Sequence, residues 1–314
     1  MGHIYDRIIA DRSRLPDLGI SVHVGSHEGR FLMRRGFFIL FLLSTLLPGY
    51  AAAADGRLDQ ISKTKTIKIA YRTDATPFSF VKDNEATGYT IDICKFVVQS
   101  LERRLNIQGL KTEWVPVTTQ TRFDAVASGK ADMECGASTV TLSRMKQVDF
   151  SSFIFVQSTG LVAKTSSGVS RAGDLKGKKI AVISGTTNEK AVTNINETAK
   201  LQAVIVPVKD RAEGVSLLES GGADAFAGDK ILLAAARYAN PQGLVMLPDD
   251  LSLEPYAIVL PLGDGDFRLA VNAALADFYR RGAIMPIYSK WFSNVDLEPG
   301  VLLEALFVLG AIPE

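Results

Sequence analysis

The sequence predicts an α/β protein made of two similar lobes, each a mostly parallel sheet flanked by helices, and three observations carry that prediction. Short apolar or β-branched runs alternate with helical patterns along the chain, as parallel strands joined by crossover helices require. One local theme occurs twice: Arg122 to Asp132 and Ala212 to Asp224 each read as a helix, a Ser-Gly turn, an Ala-Asp pair and the start of a strand. Each half also holds a hydroxyl-rich turn between a strand-like run and a helix-like pattern, Glu134 to Thr139 leading to Arg144 and Ser184 to Thr187 leading to Glu189. Such turns present Ser/Thr side chains and N–H groups without intrahelical acceptors, a seat for an anion. Two of them in opposite halves point to a cleft that closes on a small carboxylate.

The strand-like runs are Thr66 to Tyr71, Lys111 to Val115, Ala131 to Cys135, Lys179 to Ile183, Ala203 to Val206 and Ala223 to Ala227. Helical patterns lie near 90–105, 121–128, 188–199, 211–220 and 229–239. The first is amphipathic, with Ile93/Cys94, Val97, Leu101 and Leu105 on one face, spaced for a helix that covers a sheet. Trp291 and Phe292 end an apolar helical stretch and are expected in the core. The tail Leu302 to Leu309 is apolar enough to pack on a lobe surface and too short to span a bilayer.

Residues 33–54 read as a signal peptide. Met33-Arg34-Arg35 is a basic start, Phe37 to Leu47 an apolar run broken only by Ser44 and Thr45, and Ala51 to Ala54 supply small residues for cleavage. Residues 1–32 are mixed and polar, so the expected true start is Met33 and the first 32 residues are a non-native extension. Residues 55–314 then form the secreted protein, enough chain for two lobes with their own cores.

Composition excludes several classes of function. The net charge is +1 with 22% charged residues and no basic block in the mature part, so no nucleic-acid partner is expected. The three histidines, His3, His23 and His27, all precede the signal. A Ser-His-Asp triad, a His-bearing zinc site and a His general base are therefore excluded from the mature chain, and neither metal nor cofactor is expected. Cys94 and Cys135 are the only cysteines. In an oxidising compartment they either bridge or remain two buried thiols, and an even count favours the bridge.

Seven motifs, in order, carry a resemblance to a known family: Ala70-Tyr71-Arg72-Thr73-Asp74 before Pro77-Phe78-Ser79-Phe80; Gly88 to Asp92; Val117 to Arg122; Glu134 to Arg144 followed by Val148-Asp149-Phe150-Ser151; Asp174 to Lys178; Ser184 to Glu189; and Lys290-Trp291-Phe292. From about residue 64 onward the chain resembles the solute-binding proteins of amino-acid ABC importers (family 3), closest to the glutamate/aspartate-binding branch. The resemblance implies a type II periplasmic binding fold with crossings near 155–160 and 253–259. Residues 55–157 plus 259–314 would form lobe 1 and 158–258 lobe 2. It also implies a periplasmic, non-enzymatic monomer that captures glutamate or aspartate and delivers it to a permease in the inner membrane.

The same resemblance assigns the ligand contacts. Arg144 would fork the α-carboxylate, with Thr186 and the N–H groups of Ser184, Gly185, Thr186 and Thr187 completing it from the other lobe. Asp229 would accept the ammonium, assisted by Thr139 and the backbone at Ala137. Arg72, Arg122 and Thr119 would supply a second cationic pocket for an acidic side chain. The expected consequence is a pocket with more positive charge than a zwitterion neutralises.

Two positions depart from the branch. Ala137 stands where a serine is common, and Arg211 stands where a histidine often touches the distal carboxylate. Arg211 either supplies a pH-independent cation or reaches solvent at a helix start. Tyr71, Phe78 and Tyr256 could wall the ligand's methylenes, with core packing the expected role of the last two. Three alternatives are a binding protein for another amino acid or dicarboxylate, a sensory ligand domain, and an enzyme on the same scaffold such as a cyclohexadienyl-type dehydratase. The enzyme would need a general acid, for which Glu134 and Glu189 are the nominees.

Overall fold

The computed structural model describes residues 56–239, 243–293 and 299–313. The expected extension (1–32), the signal sequence (33–54) and all three histidines lie outside the described residues. Among the described residues no helix is long and apolar enough to cross a membrane.

One nine-stranded sheet organises the chain. Its first end is parallel: β1 (Thr66–Arg72) lies between β5 (Lys111–Val117) and β6 (Met133–Cys135). Its other end is also parallel, with β8 (Lys179–Ile183) between β9 (Val204–Val208) and β10 (Ala225–Asp229). Two long strands join the ends: β7 (Asp149–Lys164) and β12 (Ser252–Leu260), antiparallel to each other from Ser252↔Thr159 to Leu260↔Asp149, with irregularities at Tyr256 and Ala257. A short strand, β11 (Leu244–Met246), pairs with β7. The crossings expected near 155–160 and 253–259 fall inside β7 and β12.

Strands buried on both faces explain why the runs are so apolar. Ile180, Ala181, Val182 and Ile183 of β8 are all buried, as are Ala225 to Gly228 of β10. A separate three-stranded sheet, β2 (Asp74–Ala75), β3 (Ser79–Lys82) and β4 (Glu85–Thr87), was not legible as runs. Its strands have two to four residues, and Asp83-Asn84 turns the hairpin with φ of 52° and 63°, the two left-handed positions of a type I′ turn.

The first end of the sheet is covered by α2 (Tyr89–Arg104), α7 (Gly265–Arg280), α8 (Ile284–Phe292) and α9 (Val301–Gly310). Their buried faces make one continuous cluster with β1, β6 and β12, so segments from both ends of the chain share a core. At its centre Phe78 meets Tyr89, Phe155, Tyr256 and Phe292 at centroid distances of 4.9–5.8 Å. Contacts of this kind add about 0.5–1.5 kcal/mol each beyond area burial. Gly88 starts α2 at φ 137°, and a Cβ there would stand 2.2 Å from the Phe78 carbonyl oxygen. Only glycine lets the helix begin so close to this aromatic centre. Cys94 of α2 and Cys135 of β6 are disulfide-bonded, which settles the choice the sequence left open.

The other end carries α4 (Thr187–Thr198), α5 (Arg211–Ser220) and α6 (Lys230–Ala239). Its interior is two smaller, largely aliphatic clusters, one on each face of the sheet. The Thr186 and Asp210 side chains cap α4 and α5 by accepting from Glu189 N and Glu213 N, each worth about 1 kcal/mol. The apolar tail forms α9, whose Leu303 and Phe307 are buried against the first end, with Phe307 stacked on Tyr279.

Candidate ligand-binding cleft

The parallel strands at both ends of the sheet deliver their C-terminal ends to one crevice, where open α/β sheets hold their ligands. From the first end come Arg72 at the end of β1, Thr119 after β5, Arg122 at the start of α3 (Arg122–Ala127), and Ala137, Thr139 and Arg144 after β6. From the other end come Thr186 and Thr187 at the start of α4, Arg211 at the start of α5 and Asp229 at the end of β10. All of these line a single small cavity of about 30 Å³.

Two expected contacts do not. Ser184 and Gly185 are absent from the lining, and their N–H groups are already used: Ser184 N donates to Val208 O of β9 at 3.0 Å and Gly185 N to Glu189 Oε2 of its own turn at 2.8 Å. Thr186 is also partly committed, because its hydroxyl caps α4 and donates to Ile183 O. What α4 offers the cavity is therefore the N–H groups of Thr187 and Asn188, since the Glu189 N–H is capped by Thr186 and the Thr187 hydroxyl donates to Glu254.

Tyr71 does not wall the cavity, and Phe78 and Tyr256 take the core role expected of them. Tyr71 stands edge-on to Trp114, and Phe78 and Tyr256 pack together in the core. Ile183, Phe226 and Leu232 form the apolar wall instead. Phe226 is held by Gly214 of α5, where a Cβ would approach its ring to 2.4 Å.

The guanidinium groups are held by the chain's own acceptors. Arg122 Nη1 donates to Thr119 O, and Arg144 Nη1 to Thr139 O at 2.7 Å. Arg72 pairs with Asp74 through Nε at 2.8 Å and Nη2 at 2.6 Å. Arg211 turns into the cavity rather than out to solvent, and its Nη1 donates to Asp74 O on the opposite wall. Arg122 and Arg144 both lie over the Phe123 ring, at 4.5 and 4.8 Å, a cation–π arrangement that fixes two like charges side by side.

Burial disfavours these charges. The pKa of Arg122 falls to about 9 through burial first and then repulsion by Arg72 and Arg144. Arg144 and Arg211 are lowered for the same leading reason.

Carboxylates surround the cluster more closely than the sequence indicated. Asp229 accepts from Asn188 Nδ2 at 2.8 Å, and burial raises its pKa. Glu254, 1% exposed, accepts from Thr139 Oγ1 at 2.7 Å, Thr187 Oγ1 at 2.6 Å, Thr159 Oγ1 at 3.0 Å and Ser252 Oγ at 2.5 Å. Because Thr139 and Thr187 belong to opposite walls, Glu254 ties the walls together. Glu134 is fully buried behind Arg72 and Gly136, and its Oε2 accepts from Ser138 at 2.8 Å. With Asp74, four carboxylates stand near the four guanidiniums, but of these only Asp229 lines the cavity itself.

Besides the apolar wall of Ile183, Phe226 and Leu232, sequence reasoning missed Asn188, Phe123 and Glu254. Asn188 lies inside a motif already singled out and Phe123 directly follows Arg122, so both were within reach. Glu254 has no local signal, since its hydroxyl donors Thr139 and Thr159 lie 115 and 95 residues away. Among the described residues no group of three or more His, Cys, Asp or Glu side chains could hold a metal ion. A larger groove of about 580 Å³ runs over β7, β12 and α9, but its charged lining is the single pair Lys230–Asp250. It offers no converging set of charges.

The chain is 36% identical over 251 residues to the L-glutamate/L-aspartate-binding protein of Pseudomonas aeruginosa, an alignment that covers 79% of this chain and 83% of that protein. It is 34% identical over 247 residues to the glutamate/aspartate import solute-binding protein of Salmonella typhimurium, covering 78% and 82%. Among solved structures it superposes on an ancestral arginine-binding protein bound to arginine with a TM-score of 0.65 and 29% identity, covering 73% of this chain and 98% of that one. The two-ended sheet with its paired crossing strands is thus the type II periplasmic binding fold. The family model for bacterial extracellular solute-binding proteins, family 3, matches residues 67–294, and the chain belongs to that family.

Proposed function

We propose that this protein captures an acidic amino acid, glutamate or aspartate, between its two walls and presents it to the permease of an ABC importer. The observation that carries the reading is the convergence of Arg72, Arg122, Arg144 and Arg211 with Asp229 on one small cavity. An amino acid brings a carboxylate and an ammonium on one carbon, and burial requires a partner for each. Arg144 and the first-turn N–H groups of α4 meet the α-carboxylate, Asp229 meets the ammonium, and Arg72, Arg122 and Arg211 meet the side-chain carboxylate.

At about 30 Å³ the cavity has room for one or two water molecules, not an amino acid. Capture therefore requires the walls to part. The crossing segments of β7 and β12 are the hinge, dividing lobe 1 (55–157 and 259–314) from lobe 2 (158–258). Opening breaks Thr139–Glu254–Thr187, Gln120 Nε2 to Lys209 O and Arg211 to Asp74 O, and the ligand's contacts replace them on closure. The permease distinguishes the closed, loaded form from the open one. The protein acts as a monomer in the periplasm, exported by the signal sequence at 33–54.

Neither acid nominated for the dehydratase reading reaches the cavity. Glu189 is bonded to Gly185 within its own turn, and Glu134 stands behind the cavity wall. A thermal-shift screen of the amino acids tests the proposal: glutamate or aspartate should give the largest stabilisation. A screen in which neither acid shifts the transition overturns it.

A further inference from the structure

The charge balance of the cleft bears on which ligand it accepts, and this inference rests on the acidic-ligand reading above. With every group ionised, the four guanidiniums Arg72, Arg122, Arg144 and Arg211 are matched by four carboxylates in or behind the cavity walls, Asp74, Glu134, Asp229 and Glu254. A zwitterion with a neutral side chain preserves that balance. Glutamate or aspartate adds one negative charge among largely buried groups, where an uncompensated charge is costly. A proton on one of the four carboxylates removes the cost.

Three of the four are poor places for it. Glu254 accepts from four hydroxyls, Asp74 is ion-paired with Arg72 and 37% exposed, and Asp229 must stay charged to hold the ligand's ammonium. Glu134 differs. It is fully buried, forms no ion pair among the described residues, and its Oε1 has no hydrogen-bond partner among them. That oxygen is pressed against Gly136, where a Cβ would lie 2.0 Å from it and 3.1 Å from Arg72 Cγ. A carboxylate oxygen without a donor gains nothing from its charge, whereas a protonated one becomes a donor itself.

We propose that Glu134 is a specificity-determining residue whose protonation sets the net charge the cleft accepts: capture of an acidic amino acid takes one proton from solvent onto Glu134. Burial already favours the neutral acid. The charged and polar groups that oppose it are Arg122 from α3, Ser138 from its own loop, Arg72 from β1 and Arg144 from the turn after β6, while its pairing partners Ala70 on β1 and Val259 on β12 are apolar. Glu134 does not touch the ligand; it acts through Arg72 and Arg122.

Calorimetric titration with glutamate, in two buffers of different ionisation enthalpy and across the neutral pH range, reads the proton directly. The wild-type protein should take up close to one proton per glutamate, and its affinity should fall about tenfold per pH unit above the free-state titration of Glu134. Glu134→Gln carries the neutral form permanently, so it should bind glutamate with no proton uptake and a flat pH profile. Glutamate binding by the wild type with no proton uptake overturns the proposal and leaves the acidic-ligand reading intact. Failure of both acids to bind removes the acidic-ligand reading. Glu134 then answers in the free protein, through a carboxyl-labelled NMR titration compared with Glu134→Gln: an elevated midpoint supports the protonatable site, and an ordinary one overturns it.

Discussion

The two walls of the cleft are built from different materials. The first supplies Arg72, Arg122 and Arg144, each tied to its own wall and set on one continuous core with a large aromatic centre and a disulfide. The second supplies the first turns of α4 and α5, Asp229 and Arg211, and it rests on two smaller, mostly aliphatic clusters. The contrast assigns the labour. In the proposed function, the wall with the larger core would hold like charges close together against their repulsion, and the other would bring helix ends and one carboxylate to complete the site on closure.

Unstapling the first wall should have the largest effect. The Cys94–Cys135 bridge closes a separation of 41 residues, worth about 4 kcal/mol in the chain-entropy model. Urea unfolding of Cys94→Ala/Cys135→Ala should show a loss of that size. A loss confined to a few tenths would mean that this wall owes its rigidity to its core alone.

Next comes Arg144→Ala. The α-carboxylate is common to all amino acids, so calorimetry should show every one of them weakened by about 3 kcal/mol, more than a hundredfold. Arg122→Ala should be milder and selective, with glutamate and aspartate weakened by about 1.5 kcal/mol and neutral amino acids scarcely changed. Equal losses for both ligand classes would contradict the division between the two arginines.

The smallest effect should come from the contact that only joins the walls. Gln120 Nε2 reaches Lys209 O at 2.9 Å on the exposed rim, and Gln120→Ala should weaken ligand by about 0.5 kcal/mol, chiefly through faster release. A change above 2 kcal/mol would mean that the rim, not the arginine cluster, holds the closed form.

Much of the architecture was legible because parallel strands and covering helices write strong patterns. The run Lys179 to Ile183 is buried from Ile180 onward, and the 90–105 pattern became α2 with Ile93, Cys94, Val97 and Leu101 inside. The short strands β2 to β4 left no such mark, since strands of two to four residues with only a third of their side chains buried have no period to read.

In the cleft, residues within local motifs were found, while the balance of charge was not. Glu254 gains its place only when hydroxyls from distant segments converge, and Glu134 matters through burial that no spacing reveals. Ser184 and Gly185 belong to the right turn, yet that turn spends their N–H groups on Val208 and Glu189.

The most direct test is a titration of protein freed of bound amino acid by unfolding and refolding, with glutamate, glutamine and arginine compared side by side. Glutamate should bind at least tenfold more tightly than glutamine, and arginine should not bind measurably, because the proposed side-chain pocket is lined by Arg72, Arg122 and Arg211. Glutamine or arginine binding as tightly as glutamate would contradict capture by the guanidinium cluster.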